Sequence, residues 1–155
     1  MTKANDEKAI RRLLETFIEG WNAADGDLLA QPFADDADFR AVTGQRVKGR
    51  EVIARGHNDI LATVFRGTHN SAEVNDVTFL RPDVALVDVT FRIAPMTDKP
   101  WLPPYTTCGI VATREQGRWW IRALRNMIPA SRPVGGALDQ ATLRESRAAL
   151  ETARG

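Results

Sequence analysis

Residues 79–93 read FLRPDVALVDVTFRI, with Ala85, Val87, Val89, Phe91 and Ile93 placing an apolar side chain at every second position. Successive side chains of an extended chain point to opposite faces. The spacing therefore predicts a strand with one apolar face and with Asp88, Thr90 and Arg92 on the other. The RPD at 81–83 is short and turn-forming, so the run before it is expected to lie antiparallel alongside. That run alternates at Ala72 and Val74 and again at Val77 and Phe79, with a slip of one residue between. Such a slip is the mark of a β-bulge, which bends its strand.

Two further runs follow, Tyr105 to Thr113 and Arg118 to Ile128, joined by EQG at 115–117. Four long antiparallel strands are thus predicted. Between the second and third lies PMTDKPWLPP, too rich in proline for regular structure and expected to form a lid or rim.

Upstream the period changes. Ile10, Leu13, Leu14, Phe17, Ile18 and Trp21 recur every three or four residues and predict a helix. Asn5 is the expected N-cap, with Asp6 and Glu7 in the first turn where the helix dipole favours negative charge. The DGD around Gly26 breaks this helix before a second, shorter one in LLAQPF. Runs at 38–42 and 46–48 flank a TG turn and predict a small hairpin. Val52, Ile53, Ile60, Leu61 and Val64 then predict a third helix over 50–65, with Gly56 a weak point and His57 one turn beyond Ile53. From Pro129 the chain reads PASRPVGG and continues with a thin apolar stripe of Leu138, Leu143 and Leu150. The expected division is a domain over 1–130 and a tail over 131–155, part helical, that frays unless it finds a partner surface.

The chain has 155 residues, 43% of them apolar, enough for one core and too few for two. Lys plus Arg number 21 and Asp plus Glu 20, with no strongly basic stretch, which argues against nucleic acid as a partner. Cys108 is the one cysteine, which rules out an internal disulfide and a Cys-rich zinc site. The polar start MTKANDEKAIRR lacks the apolar core of a signal peptide, and no run approaches the length of a membrane span. A cytoplasmic protein with no membrane partner is expected.

The order helix, helix, hairpin, helix and four strands resembles the NTF2-like superfamily, the cone fold of ketosteroid isomerase, scytalone dehydratase and polyketide cyclases. FADDADFRAVTGQRVKGREVIARGH at 33–57, FRG at 65–67, FLRPDVALV at 79–87 and GRWWIRALRN at 117–126 look like its SgcJ/EcaC, or SnoaL-like, branch. The resemblance implies an α+β cone, a strongly bent antiparallel or mixed sheet wrapped around three N-terminal helices and enclosing a pocket for an apolar small molecule. It also implies a homodimer through the outer sheet face. Some members of that branch sit in bacterial enediyne polyketide pathways, which implies a substrate class.

Fold does not settle function, so the residues must. Aligning on FADDA puts the base of ketosteroid isomerase near Ala41, which accepts no proton, and the first helix lacks the tyrosine of that enzyme's oxyanion hole. Steroid-type isomerisation by that mechanism is not expected. Limonene-type epoxide hydrolases use an Asp, Arg, Asp set; Asp88, Thr90 and Arg92 share one strand face and invite the comparison, against a solvated outer face. His57 lies on the helix that borders the pocket in the family. It is either a general base or acid, or a half-buried helix histidine bonded to a neighbouring strand. Asp38 is expected to orient His57 as a dyad, or else to be a solvated acid beside the turn-forming Asp35 and Asp36. Asn126 offers an amide to a substrate carbonyl, and Tyr105, after PWLPP, a hydroxyl near the opening. Arg125 departs from the neutral residue the resemblance leads one to expect. Trp21 and Phe39 are expected at the pocket wall, Trp119 in packing, and His69 at the surface or rim. With no P-loop, GxGxxG or metal-spaced histidines, no cofactor or metal is expected. The functions compatible with this set are cofactor-free cyclisation, dehydration or isomerisation of an apolar polyketide-type molecule, or a non-catalytic module for ligand binding or association.

Overall fold

The computed structural model describes residues 2–129 and 140–153. Helices α1 (Lys3–Asn22) and α2 (Gly26–Ala30) are followed by strands β1 (Phe33–Arg40) and β2 (Arg46–Lys48) and by helix α3 (Arg50–Ala62). Strands β3 (His69–Arg81), β4 (Val84–Ala94), β5 (Tyr105–Glu115) and β6 (Arg118–Met127) complete the sheet, and helix α4 (Gln140–Ala153) lies beyond. The sheet order is β2-β1-β6-β5-β4-β3. All neighbours are antiparallel except β1 and β6, which run parallel, so the sheet is mixed.

Thr2, not Asn5, caps α1: its hydroxyl accepts from the Asn5 N–H at 3.2 Å. The buried stripe of α1 is Ile10, Leu13, Leu14, Phe17 and Trp21. Asp25 caps α2 by accepting from the Leu28 N–H at 3.0 Å. The expected bulge is present as a register shift between Val74 and Asp76, and others fall between Phe33 and Asp38 and between Val111 and Ala112. These irregularities bend the sheet so that its concave face closes over α1 and α3. Ala85, Val87, Val89 and Phe91 of β4, and Cys108, Ile110 and Ala112 of β5, are buried on that face. An unclosed, bent sheet around three helices is the α+β cone.

Asp6 does more than complement a helix dipole. It is 5% exposed, accepts from the Trp119 indole N–H at 2.8 Å and pairs with Arg114 at 3.2 Å. It therefore fastens the first turn of α1 to β5 and β6. Asp6→Ala leaves the indole N–H and the guanidinium without their acceptor and is expected to cost about 2 kcal/mol. The check is a lowered urea midpoint at unchanged slope.

The expected division at residue 130 falls where the stretch PASRPVGG begins, and residues 130–139, with Leu138, lie outside the described residues. From Arg144 onward every described side chain of α4 is exposed, Leu150 at 54%.

Candidate functional site

A cavity of about 420 Å³ opens between α1, α3 and the concave sheet, a size suited to a small organic molecule. Phe17 and Trp21 wall it from α1, Phe39 from β1, Ile53 and Ile60 from α3, and Phe91 from β4. Gly56 also lines it, and a Cβ there would meet nothing within 4 Å, so the helix's weak point leaves open space in the wall. Trp101 and Leu102 of the proline-rich segment line the cavity too, which makes that segment its rim. Beside them Lys99 is buried, with its ammonium 2.7 Å from Asp98 and over the Phe65 ring.

His57 is set in this wall, 6% exposed and edge-on to three rings: Phe39 at 5.2 Å, Phe17 at 6.1 Å and Trp21 at 6.3 Å. Its Nδ1 donates to the Ile53 carbonyl at 2.8 Å, one turn back on the same helix rather than on a neighbouring strand. A carbonyl only accepts, so Nδ1 carries the proton and Nε2 keeps its lone pair for whatever enters the cavity. Burial among apolar groups pushes the imidazole below its ordinary value, and the Ile53 bond opposes this only in part. At neutral pH His57 is an uncharged base.

The expected partner, Asp38, is elsewhere. Alternation along β1 turns Phe39 inward and Asp38 to the outer face. There Asp38 accepts from Arg46 Nε at 3.0 Å and pairs with Arg125 at 3.1 Å. The Arg46 hydrogen bond, aided by the charge of Arg125, holds its carboxyl at about 2. The same parity overturns the place expected for Tyr105 at the opening and decides for the solvated outer face at Arg92. Arg92 is on the outer face of β4, stacked over the Tyr105 ring at 5.3 Å, and Tyr105 is 38% exposed on that face, so neither lines the cavity. Arg125 also turns outward, to Asp38, and does not line the cavity. Asn126 does line the cavity, but the atom left buried without a hydrogen bond is its carbonyl oxygen Oδ1, which seeks a donor rather than a carbonyl.

Two buried polar residues of the cavity were not foreseen. Asn70 is 2% exposed with an equally unpartnered Oδ1, and Thr106 is 5% exposed. Both occupy inward positions of their strands, in phase with Ala72 and Val74 and with Cys108 and Ile110. A polar residue at an apolar phase was the signal. His69 is exposed beside Asn22, and Trp119 is packed in the core, as expected. Burial pushes the Cys108 thiol up to about 12, which removes it as a nucleophile. Among the described residues, no three His, Cys, Asp or Glu side chains come together to hold a metal, and no helix is long and apolar enough to cross a membrane.

A bent mixed sheet closed over helices, with a histidine set in an apolar cavity, defines an NTF2-like cone protein. The SnoaL-like domain model matches residues 2–125, and the chain belongs to that family. Among solved structures, a Nostoc punctiforme domain of unknown function with a cystatin-like fold is 27% identical over 99% of both chains, with a TM-score of 0.74. A hexachlorocyclohexane dehydrochlorinase of type 2 is 16% identical over 86% of this chain and 92% of its own, with a TM-score of 0.69. A Novosphingobium aromaticivorans protein provisionally named scytalone dehydratase is 19% identical over 90% and 97%, with a TM-score of 0.64. At such identities the latter two share the fold. No curated protein matches the sequence.

Proposed function

We propose that the chain takes a mainly apolar small molecule into the cavity and moves a proton on it without a cofactor, His57 accepting that proton at Nε2. One observation carries this reading: a buried imidazole whose Nδ1 is committed to Ile53, so that its basic nitrogen is reserved for the cavity. The imidazolium formed would return the proton to a leaving hydroxyl in a dehydration or to another carbon in an isomerisation or cyclisation. The dehydrochlorinase and dehydratase names of two structural neighbours lie in the same class of chemistry. The likeness of residues 33–57 and 117–126 to the SgcJ/EcaC branch favours a polyketide-type intermediate of bacterial secondary metabolism, including the enediyne pathways. Product formation by a His57→Gln chain in the native pathway tests the reading, and unchanged turnover would remove the imidazole from the mechanism.

The ring's protonation gives an independent check. Because the folded-state value is depressed, the unfolded chain binds the proton first as pH falls. His57 is therefore expected to titrate below 6.5 by NMR, and stability to decline as pH drops from about 6.5 toward the depressed value. A ring titrating as in a free peptide would contradict the buried, neutral base.

A second reading, a non-catalytic ligand-binding or association module, is favoured by the neutral partner of Nδ1. With the Ile53 carbonyl in place of a carboxylate, the imidazolium has no counter-charge there. A homodimer through the outer sheet face suits either reading, and Leu86, Tyr105 and Met127 expose apolar surface on that face. Ligand binding without turnover would favour the module.

A further inference from the structure

Among the described residues, each of the first three helices carries one glycine, and two of the three are explained by close packing. A Cβ at Gly20 of α1 would lie 2.2 Å from the Leu29 N, and one at Gly26 of α2 would lie 2.4 Å from the Ala54 carbonyl oxygen. Both glycines let backbones approach. Gly56 has no such reason. It stands exposed at the middle of α3, and no protein atom comes within 4 Å of the place its Cβ would take. Glycine in a helix interior weakens the helix relative to alanine, and here the packing of the chain gains nothing in return.

What the missing side chain leaves is a notch at the mouth of the cavity. Val52 and Ile60 stand one turn before and one turn after Gly56 on the same stripe of α3, and all three line the cavity. Val52 is 37% exposed, and two further lining residues, Val64 and Trp101, are 44% and 53% exposed. These side chains belong at once to the cavity and to the surface. Apolar matter seated inside and continuing outward would cover them without a second protein.

We propose that the ligand is longer than the cavity: an apolar head lies inside with His57, and an uncharged hydrocarbon tail leaves over Gly56, against the backbone of α3 between Val52 and Ile60. This rests on the reading of the cavity as a small-molecule site. Gly56 is then a specificity-determining residue, because any side chain there takes the space of the tail. An anionic tail is disfavoured by the Asp59 carboxylate, three residues further along α3, which lines the same cavity and is exposed.

The test uses 4-ethyl-, 4-butyl-, 4-hexyl- and 4-octylphenol, with affinity read by calorimetry and tryptophan fluorescence. On the native chain affinity is expected to rise through the whole series, by up to about fourfold for each added CH₂. Gly56→Leu is expected to bind 4-ethylphenol within about twofold of the native chain and 4-octylphenol at least about tenfold more weakly, the loss of two or more buried methylenes. Gly56→Ala is expected to raise the urea midpoint while weakening 4-octylphenol several-fold. Stability and long-chain affinity thus move in opposite directions, which a glycine kept for folding would not produce. Circular dichroism checks that both variants fold, and the alanine variant carries the test if the leucine variant does not. A native affinity indifferent to chain length, 4-octylphenol binding unchanged by either substitution, or equal losses for the short and the long phenol would each overturn the exit over Gly56 while leaving the cavity as a ligand site. Failure of all four to bind the native chain overturns the small-molecule reading as well.

Discussion

Replacing His57 by Gln is expected to lower turnover by about 10²- to 10⁴-fold, the range attributable to a positioned general base. Gln is close in size and neutral, as His57 itself is at neutral pH, so the wall formed with Phe17, Trp21 and Phe39 keeps its shape. Substrate binding should therefore change much less than rate, which is the pattern of a group acting in the transition state. In the native chain the acid limb of the rate profile should fall below 6.5, because burial lowers the imidazole and the base stays unprotonated into mildly acidic solution. Steady-state rates across pH for both chains, with ligand affinity measured separately, decide the matter. A large loss of binding with turnover intact would assign His57 to the wall alone.

Gly20→Ala is expected to be among the most damaging single changes to the fold. On helix propensity alone the substitution stabilises α1 by about 1 kcal/mol. Packing reverses the sign. A Cβ at Gly20 would lie 2.2 Å from the Leu29 N and 2.4 Å from its Cα, backbone atoms that no rotamer change can move. α1 and α2 would have to separate, and with them Trp21 and the cavity wall it forms. A loss of about 3 kcal/mol or more, the upper range for overpacking, is expected by chemical denaturation. Stability at or above the native value would mean that the two helices do not pack so closely.

Strand β4 was legible because the alternation of Val87, Val89 and Phe91 is a local property and burial on one face follows from it. The same rule fixed the turns at 81–83 and 115–117, and the phase slip after Val74 located a real irregularity. The parallel pairing of β1 with β6 was not legible from local pattern, since it joins segments some eighty residues apart. The site divided along the same line. His57, Trp21 and Phe39 were reached through the helix that borders the cavity in the family and through apolar spacing. Asp38 was placed beside His57 although its neighbour Phe39 was placed at the wall, and two adjacent strand residues cannot both face inward. Applying to β1, β3 and β5 the parity that set Arg92 opposite the apolar face of β4 would have sent Asp38 and Tyr105 outward and drawn attention to Asn70 and Thr106. The clash at Gly20 had no local signal, because it depends on where the next helix comes to rest.

The tie between Asp6 and its partners has a consequence for biogenesis. Trp119 lies 113 residues and Arg114 108 residues after the carboxylate they hold. A ribosome working at about 5–20 residues per second leaves roughly 6–20 s in which α1 has emerged and β6 has not. During that interval the helix exposes Ile10, Leu14 and Phe17 with no sheet to cover them, and β1 waits for the strand that will flank it. The domain should therefore reach its native state only once β6 has emerged, and holdase chaperones should find their binding site on α1 in the interval.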